Sequence, residues 1–440
     1  MELDTGNTAW MLAAAALVLF MTPGLAFFYG GMVRSKSVLN MLMMSFVTIG
    51  IVSLLWVLYG FSVAFGTENS GLWGGFGWAG MEHLTTTEVT INGGTYGIPL
   101  LVFAAFQLMF AVITPALISG AIADRAKFGT WMIFVALWVT IVYFPVAHWV
   151  FDFGDKDGNG AGWLAARGVL DFAGGTAVHV NAGAAGLALA LVLGKRIGWK
   201  KDPMRPHNLT LVMLGAGLLW FGWFGFNAGS ALGANALAGQ AFFTTMIATA
   251  TAMLGWLVVE RLRDGHYTSL GAASGAVAGL VAITPACAFV TPVGSIVIGI
   301  LAGAICSLAV GLKWRLGFDD SLDVVGVHLV GGAFGALSLG FLAQGEGLFY
   351  GGDISLLGKQ ALAVGAVGGY SFVLAYVIGK ALDLTVGFRI PAEDEVEGVD
   401  LFAHAETGYD IHSAGTGSGA LTGKPDALVQ AGAEARGVNA

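Results

Sequence analysis

The stretch Asp171-Phe172-Ala173-Gly174-Gly175-Thr176-Ala177-Val178-His179-Val180-Asn181-Ala182-Gly183-Ala184-Ala185-Gly186 places an imidazole inside an apolar, glycine-studded segment. The same skeleton returns as Val327-His328, with Gly332 and Gly335 at the spacing that Gly183 and Gly186 keep from His179. An ionisable group within a membrane span is costly, and one that persists usually marks a site or a pathway. A repeated span with a repeated histidine predicts a pore built from two related halves.

The rest of the chain is of the same kind. Hydrophobic residues make up 56% of the 440 residues and charged residues only 11%, with a mean hydropathy of +0.77; soluble domains carry about 25% charge. The 68 glycines suit transmembrane helices that pack closely through small residues. Cys287 and Cys306 both lie in apolar stretches and read as buried thiols. A hydrocarbon core of roughly 30 Å takes about 20 apolar residues per helix. Spans are expected near 8–32, 39–65, 98–123, 128–151, 172–194, 208–232, 237–260, 268–288, 292–313, 322–343 and 357–386. The predicted fold is an all-α integral membrane protein of eleven transmembrane helices.

Basic residues gather in alternate loops: Arg34 and Lys36; Arg125 and Lys127; Lys195, Arg196, Lys200, Lys201 and Arg205; Arg261 and Arg263; Lys313 and Arg315. By the positive-inside rule these loops are cytoplasmic. The N-terminus is then outside and the C-terminus inside. No basic region precedes the first span, which reads as a retained helix and not as a cleaved signal.

With this topology the fifth and tenth spans run in opposite directions. Two further echoes support a duplication. Ile113-Thr114-Pro115-Ala116 returns as Ile283-Thr284-Pro285-Ala286, and Gly24, Phe28 and Gly31 return as Gly222, Phe226 and Gly229. Spans one to five thus pair with six to ten as an inverted repeat, and the final helix stands alone. Such repeats place the substrate site at their interface near mid-membrane. His179 follows Asp171 by eight residues, about 12 Å along a helix, so the two imidazoles are expected to meet near the centre.

Facing imidazoles can share a proton and pass hydrogen bonds along a narrow lumen. The plainer alternative is a buried pair that braces the helices; repetition at matched depth favours function. No carboxylate or cysteine is spaced to complete a metal set, and no metal, cofactor, catalytic residue or nucleic-acid partner is expected. Asp171 reads as the N-cap of the fifth helix, with a second possible role in favouring a cation near the entrance; Asp323 is expected to cap the tenth. Aromatic residues gather toward the outer ends of spans, where most serve the lipid belt or packing. Phe106 and Phe110 stand one turn apart, Phe226 lies one turn inside Ser230, and Trp149 and Phe151 close the fourth span. A desolvated cation on a ring face gains about 0.5–2 kcal/mol or more.

These residues resemble the ammonium transporter (Amt/Mep/Rh) family, on the bacterial Amt side. The likeness rests on the segment 171–186 and its continuation to Gly194-Lys195-Arg196, and on Gly222-Trp223-Phe224-Gly225-Phe226-Asn227-Ala228-Gly229-Ser230. It rests also on Thr284-Pro285-Ala286-Cys287, on Asp323-Val324-Val325-Gly326-Val327-His328 and on Asp383-Leu384-Thr385-Val386-Gly387-Phe388-Arg389, and spans residues 5–412. It implies a homotrimer with one pore per subunit, in the cell inner membrane, serving nitrogen uptake. It implies an outer ammonium site at Phe110 and Ser230 with a tryptophan at the end of the fourth span. It implies a gate of stacked rings at Phe110 and Phe226 with Phe106 nearby, the paired His179 and His328, and a structural and electrostatic Asp171. The family's tryptophan follows Ala-His by three positions; this chain has Phe151 there, with Trp149 two residues earlier on another helical face. A phenyl ring keeps a π face but lacks the indole donor, so either Phe151 or Trp149 is expected at the outer site. The acidic loop from Asp152 to Gly160 reads as solvated.

The expected activity is capture of ammonium outside, deprotonation near the phenylalanine gate and passage of ammonia along the histidines, with the proton retained or moved separately. The alternative is an ammonium sensor that signals through its tail. The expected division is a transporter domain over 1–388 and a cytoplasmic tail over 389–440, acidic at Glu393-Asp394-Glu395, with a disordered Gly/Ala-rich end. The resemblance further implies docking of a PII-type signalling protein at the cytoplasmic face.

Overall fold

The structure is a computed structural model that describes residues 3–66, 71–82, 84, 88–91, 94–154, 158 and 160–409. The distal tail expected to be disordered lies outside the described residues, as do Asp155, Lys156, Asp157 and Asn159 of the acidic loop. Among the described residues eleven apolar helices follow one another: α1 (Thr5–Met32), α2 (Ser35–Phe65), α3 (Leu100–Ile122), α4 (Phe128–Phe151), α5 (Gly175–Leu193), α6 (Leu209–Gly229), α7 (Ala236–Asp264), α8 (Ser269–Ile283), α9 (Pro292–Leu316), α10 (Val325–Leu342) and α11 (Ser355–Thr385). Ten of them are long and apolar enough to cross a membrane, and α8 is a shorter apolar helix. The span expected at 268–288 ends early because the chain turns from Thr284 onward, where Pro285 has no N–H to donate.

Local chemistry explains the helix starts. Side-chain oxygens of Asp4, Asn208, Asn235, Thr268 and Thr291 each accept the backbone N–H three residues on, at the N-termini of α1, α6, α7, α8 and α9. Each satisfies an amide that the helix leaves without a partner. Between the caps the helices are apolar on nearly all sides, as suits spans that meet neighbours on one face and lipid on another.

Close approaches through glycine show the inversion. In the α1–α6 pair, a Cβ on Gly31 would lie 2.6 Å from the Asn208 carbonyl oxygen, one on Gly24 3.0 Å from the Leu218 Cβ, and one on Gly229 2.7 Å from the Ala14 Cβ. Rising numbers in α1 meet falling numbers in α6, so the two run antiparallel. The α5–α10 pair does the same: Gly183 abuts Leu329, Gly186 abuts Val324, and Gly332 abuts His179. Equivalent helices of the two halves therefore cross at the centre in opposite directions.

The loops also sort by end. Arg34, Asp124, Arg196 and Asp319, from alternate loops, converge on one face: Asp124 pairs with Arg34 at 3.4 Å and with Arg196 at 3.2 Å, and Arg196 grips Asp319 at 2.9 Å. After α11 the chain packs against this basic face. Two short helices, α12 (Ala392–Glu397) and α13 (Val399–His404), follow. Glu395 pairs with Arg389 at 2.7 Å and accepts the Ile197 amide; Asp400 accepts the amides of Leu39 and Asn40. The opposite end carries one feature that helical periodicity did not predict. A hairpin of β1 (Glu88–Ile91) and β2 (Gly94–Pro99) pairs antiparallel, and its Gly97 carbonyl accepts the Asp4 amide at 2.7 Å.

The glycine contacts yield a matched pair of variants. A Cβ on Gly215 would run into the Phe28 backbone, whereas Gly217 has nothing within 4 Å. Gly215→Ala is expected to cost about 1–3 kcal/mol of stability. Gly217→Ala is expected to be neutral or slightly stabilising. Thermal unfolding of the two purified variants in one detergent checks the difference.

Candidate functional site

A cavity of about 280 Å³ opens at the end opposite the basic face. Its lining includes Gln107, Phe110, Phe151, Asp171, Ser230 and Phe289. Phe110 forms its floor, since it stacks on Phe226 with ring centroids 4.1 Å apart and planes at 21°. Phe106 braces Phe110 edge-on at 5.0 Å. Phe226 lines the next space down, a lumen of about 10 Å³ that holds His179 and His328 among Leu25, Ile113, Leu219 and Trp223. That volume is close to the smallest that admits one water. The stacked rings thus partition a wide vestibule from a narrow apolar passage.

The helix starts bring the imidazoles together. The Asp171 carboxylate accepts the amides of Gly174 (2.8 Å), Gly175 (2.6 Å), Thr176 (2.7 Å) and Ala177 (3.2 Å), and also the Thr176 hydroxyl. Gly174 takes φ +113°, a conformation that favours glycine. The turn Gly175–Val180 is then wound as a π-helix, and His179 sits on it. The second half repeats the arrangement, with His328 on the π-turn Val325–Leu329. Single π-turns are rare and concentrate at functional sites.

Asp323 does not cap the second turn. Asp320 does, accepting the amides of Val324 at 3.1 Å and Val325 at 2.7 Å. Asp320 stands at the same 149-residue offset from Asp171 that separates the two histidines, so it is the true repeat partner. Asp323 instead has φ +65° and pairs with Lys313 at 2.7 Å. Burial pushes the Asp320 carboxyl up to about 6, against the pull of Lys313. Burial would raise Asp319 as well, but the Arg196 guanidinium overcomes it and holds that carboxyl below its ordinary value.

The imidazoles face one another with Nδ1 atoms 3.3 Å apart and planes at 25°. One Nδ1 must donate and the other accept. The two Nε2 atoms are then of opposite kind, one with a lone pair and one with an N–H. Among the described residues no protein group satisfies the His179 Nε2. Trp223 stacks on His179 at 5.4 Å, and its indole N–H donates to the Thr284 hydroxyl at 2.8 Å, which in turn donates to the Leu280 carbonyl at 2.7 Å. Trp223 was not singled out from sequence as a support for the pair; the signal lay in the repeated Thr-Pro motif that anchors it.

The remaining site residues divide. Ser230 lines the vestibule and donates its proton to the Phe226 carbonyl at 2.9 Å, so its oxygen offers only lone pairs to the cavity. Phe151 lines the vestibule and meets Phe110 edge-on at 6.3 Å. Trp149 does not line it. Its indole N–H is held by the Leu72 carbonyl at 2.9 Å, and its ring packs on Trp163 and Tyr370. Two residues along a helix is about 200° of rotation, which turns Trp149 away from the face that Phe151 occupies.

An inverted pair of five-helix units with a dry lumen at their crossing defines a membrane protein of the channel and transporter class. The chain belongs to the Ammonium Transporter Family, whose model matches residues 9–409. It is similar to an ammonium transporter of Mycobacterium tuberculosis, 56% identical over 433 residues that cover 93% of this chain and 91% of that one. An ammonium transporter of Bacillus subtilis is 47% identical over 419 residues, covering 92% and 99% of the two chains. Among solved structures, a "Sensor Amt Protein" is similar with a TM-score of 0.83 and 31% identity, over 91% of this chain and 98% of that one. Candida albicans Mep2 is similar with a TM-score of 0.81 and 32% identity, over 89% of this chain and 88% of that one.

The capping assignment carries its own test. Asp320→Ala is expected to lower stability by about 1–2 kcal/mol through two orphaned amides. Asp171→Ala should cost more, since four amides lose their acceptor. Asp323→Ala removes an ion pair but no amide acceptor, and Lys313 keeps the Asp320 carbonyl, so it should cost less than either. Asp323→Ala melting at a lower temperature than Asp320→Ala would contradict the assignment.

Proposed function

We propose that this protein moves ammonium across the membrane by admitting the ion to the vestibule, removing a proton near the Phe110–Phe226 stack and conducting ammonia past His179 and His328. The observation that carries this reading is the lumen of about 10 Å³ whose polar groups are the two imidazoles. An intact ion in so dry a passage is expensive. Potassium would leave its hydration shell with few oxygens to replace it. Ammonium has an exit that potassium lacks: it gives up a proton and proceeds as a neutral molecule. The opposite Nε2 atoms suit that molecule, because ammonia accepts one hydrogen bond and donates others.

The vestibule suits the ion before that step. The Ser230 oxygen offers lone pairs, and Phe110 and Phe151 offer ring faces for a cation. Asp171 is saturated by its own helix, so it acts through its field and through the geometry it imposes, without touching the ion. We place the vestibule outside and the basic face in the cytoplasm, as the positive-inside rule requires, with the N-terminus outside and the C-terminus cytoplasmic. Residues 1–388 form the transport domain and 389–440 the tail, of which the part through Tyr409 packs on the basic face.

Leu54, Phe221, Leu254, Val293 and Leu308 are each more than half exposed, a surface suited to lipid and to further copies of the chain. On that ground and on the family resemblance we propose a homotrimer in the cell membrane, with a PII-type protein docking on the cytoplasmic side. A sensor function is the second reading, favoured by the likeness to the solved sensor protein and by the packed tail.

Purified protein in liposomes under an ammonium gradient, with potential recorded, separates the readings. Transport predicts ammonium-driven flux with potassium excluded; a sensor predicts no flux. A current that follows the ammonium gradient would assign net charge movement, and flux without current would assign ammonia conduction alone. The variant carrying His179→Leu with His328→Leu is expected to lose selective conduction while melting close to the parent. Unchanged flux and unchanged potassium exclusion in that variant would remove the imidazoles from the mechanism.

A further inference from the structure

Gln107 carries a vestibule-lining amide that no described group of the protein bonds. It lies on α3 one turn before Phe110, lines the same vestibule as Ser230 and Phe151, and is 9% exposed. Its amide atoms are not sealed into the wall, so they meet whatever the vestibule holds. Among the described residues no side chain or backbone group hydrogen-bonds to the Gln107 side chain.

Its neighbours in the cavity are already engaged. The Asp171 carboxylate is filled by its own helix. The Leu170 amide and carbonyl are both taken by the Gln360 side chain, at 2.8 and 2.7 Å. The Ser230 proton is committed to Phe226. An ion held only by Ser230 and two phenyl rings would have one good oxygen for four N–H donors. Phe151 is moreover a weaker cation–π partner than an indole at the same place.

We propose that the Gln107 side-chain carbonyl is an ammonium ligand of the vestibule, acting with Ser230 to hold the ion over the Phe110 ring. The amide rotates to present oxygen to the cation and keeps its NH₂ toward water in the vestibule. Its reach from the Phe110 turn places the acceptor on the α3 wall, while Ser230 acts from the C-terminal end of α6. The ion is then bound by directional acceptors from both halves of the repeat, which favours a tetrahedral donor over a spherical cation. Gln107 is thus a capture residue and takes no part in the proton transfer.

The inference rests on the transport reading, and liposome flux separates the two. Flux by the parent protein tests transport itself; its absence would overturn both. Gln107→Leu keeps the side chain's bulk and removes its oxygen. It is expected to raise the half-saturating ammonium concentration roughly tenfold, as fits the loss of one hydrogen bond to a charged group, with maximal flux within about twofold of the parent. Gln107→Glu keeps an acceptor at the same reach and should stay at or below the parent value. Phe151→Trp, added to Gln107→Leu, should recover part of the loss by strengthening the ring contact. A half-saturating concentration unchanged in Gln107→Leu, or a loss equal in the Leu and Glu variants and untouched by Phe151→Trp, would overturn the assignment and leave Gln107 as wall packing.

Discussion

Inside a bilayer every backbone amide needs a partner from the protein itself, and the start of a helix has four that its own turns cannot supply. The fold meets that demand on its two central helices with two carboxylates. Asp171 and Asp320, both buried, each take up the free amides of a helix that begins among other helices. The first turn of each of these two helices is a π-helix, and each of the two carries a histidine. The imidazole pair depends on this anchoring: an ordinary α-helical turn at either start would rotate one ring relative to the other.

Glycine supplies the second condition, close approach. Gly183 and Gly332 let α5 and α10 cross almost backbone to backbone, with Gly332 packed against His179 itself. Gly215, Gly222 and Gly225 do the same between α6 and α1, which brings Phe226 and Trp223 into the lumen wall. The passage is narrow because its walls are helices separated by hydrogens where most helices are separated by side chains. Dryness follows from narrowness, and the chemical choice between an ion and a neutral molecule follows from dryness.

Much of this was legible in the chain, for identifiable reasons. The histidines stood out because an imidazole is conspicuous in apolar sequence and because the pattern recurred. The helices were visible because spans of this length have few alternatives. Asp320 was missed in favour of Asp323 because both precede the tenth helix and cap rules tolerate a shift of several residues; only the common offset from both histidines distinguishes them. The hairpin Glu88–Pro99 was missed because it lies in a polar loop between spans, where hydropathy carries no signal. The π-turns were missed because their sequence is compatible with an α-helix; two more, Trp56–Gly60 and Val139–Tyr143, lie inside α2 and α4 with no side-chain cap. Trp149 and Phe151 were left unresolved because facing depends on helix rotation, which the structure fixes through the Leu72 carbonyl and the Phe110 ring.

The two halves share a backbone plan and differ in the side chains that line it. Thr176 reinforces the Asp171 cap with its hydroxyl, and its counterpart at the 149-residue offset is Val325, which cannot. Trp223 stacks on His179 and is anchored by Thr284; its counterpart in the first half, by the Gly24–Gly222 correspondence, is Leu25. Symmetric backbones place equivalent atoms at equal depth, and that is what brings two Nδ1 atoms within 3.3 Å. Asymmetric side chains then make one approach unlike the other. The stacked Phe110–Phe226 pair closes the vestibule side, and the Phe28 ring that corresponds to Phe226 packs instead beside Tyr29, at 5.9 Å. A site formed by inverted duplication is thus central by construction, and it acquires a preferred side of capture only where the copies have diverged.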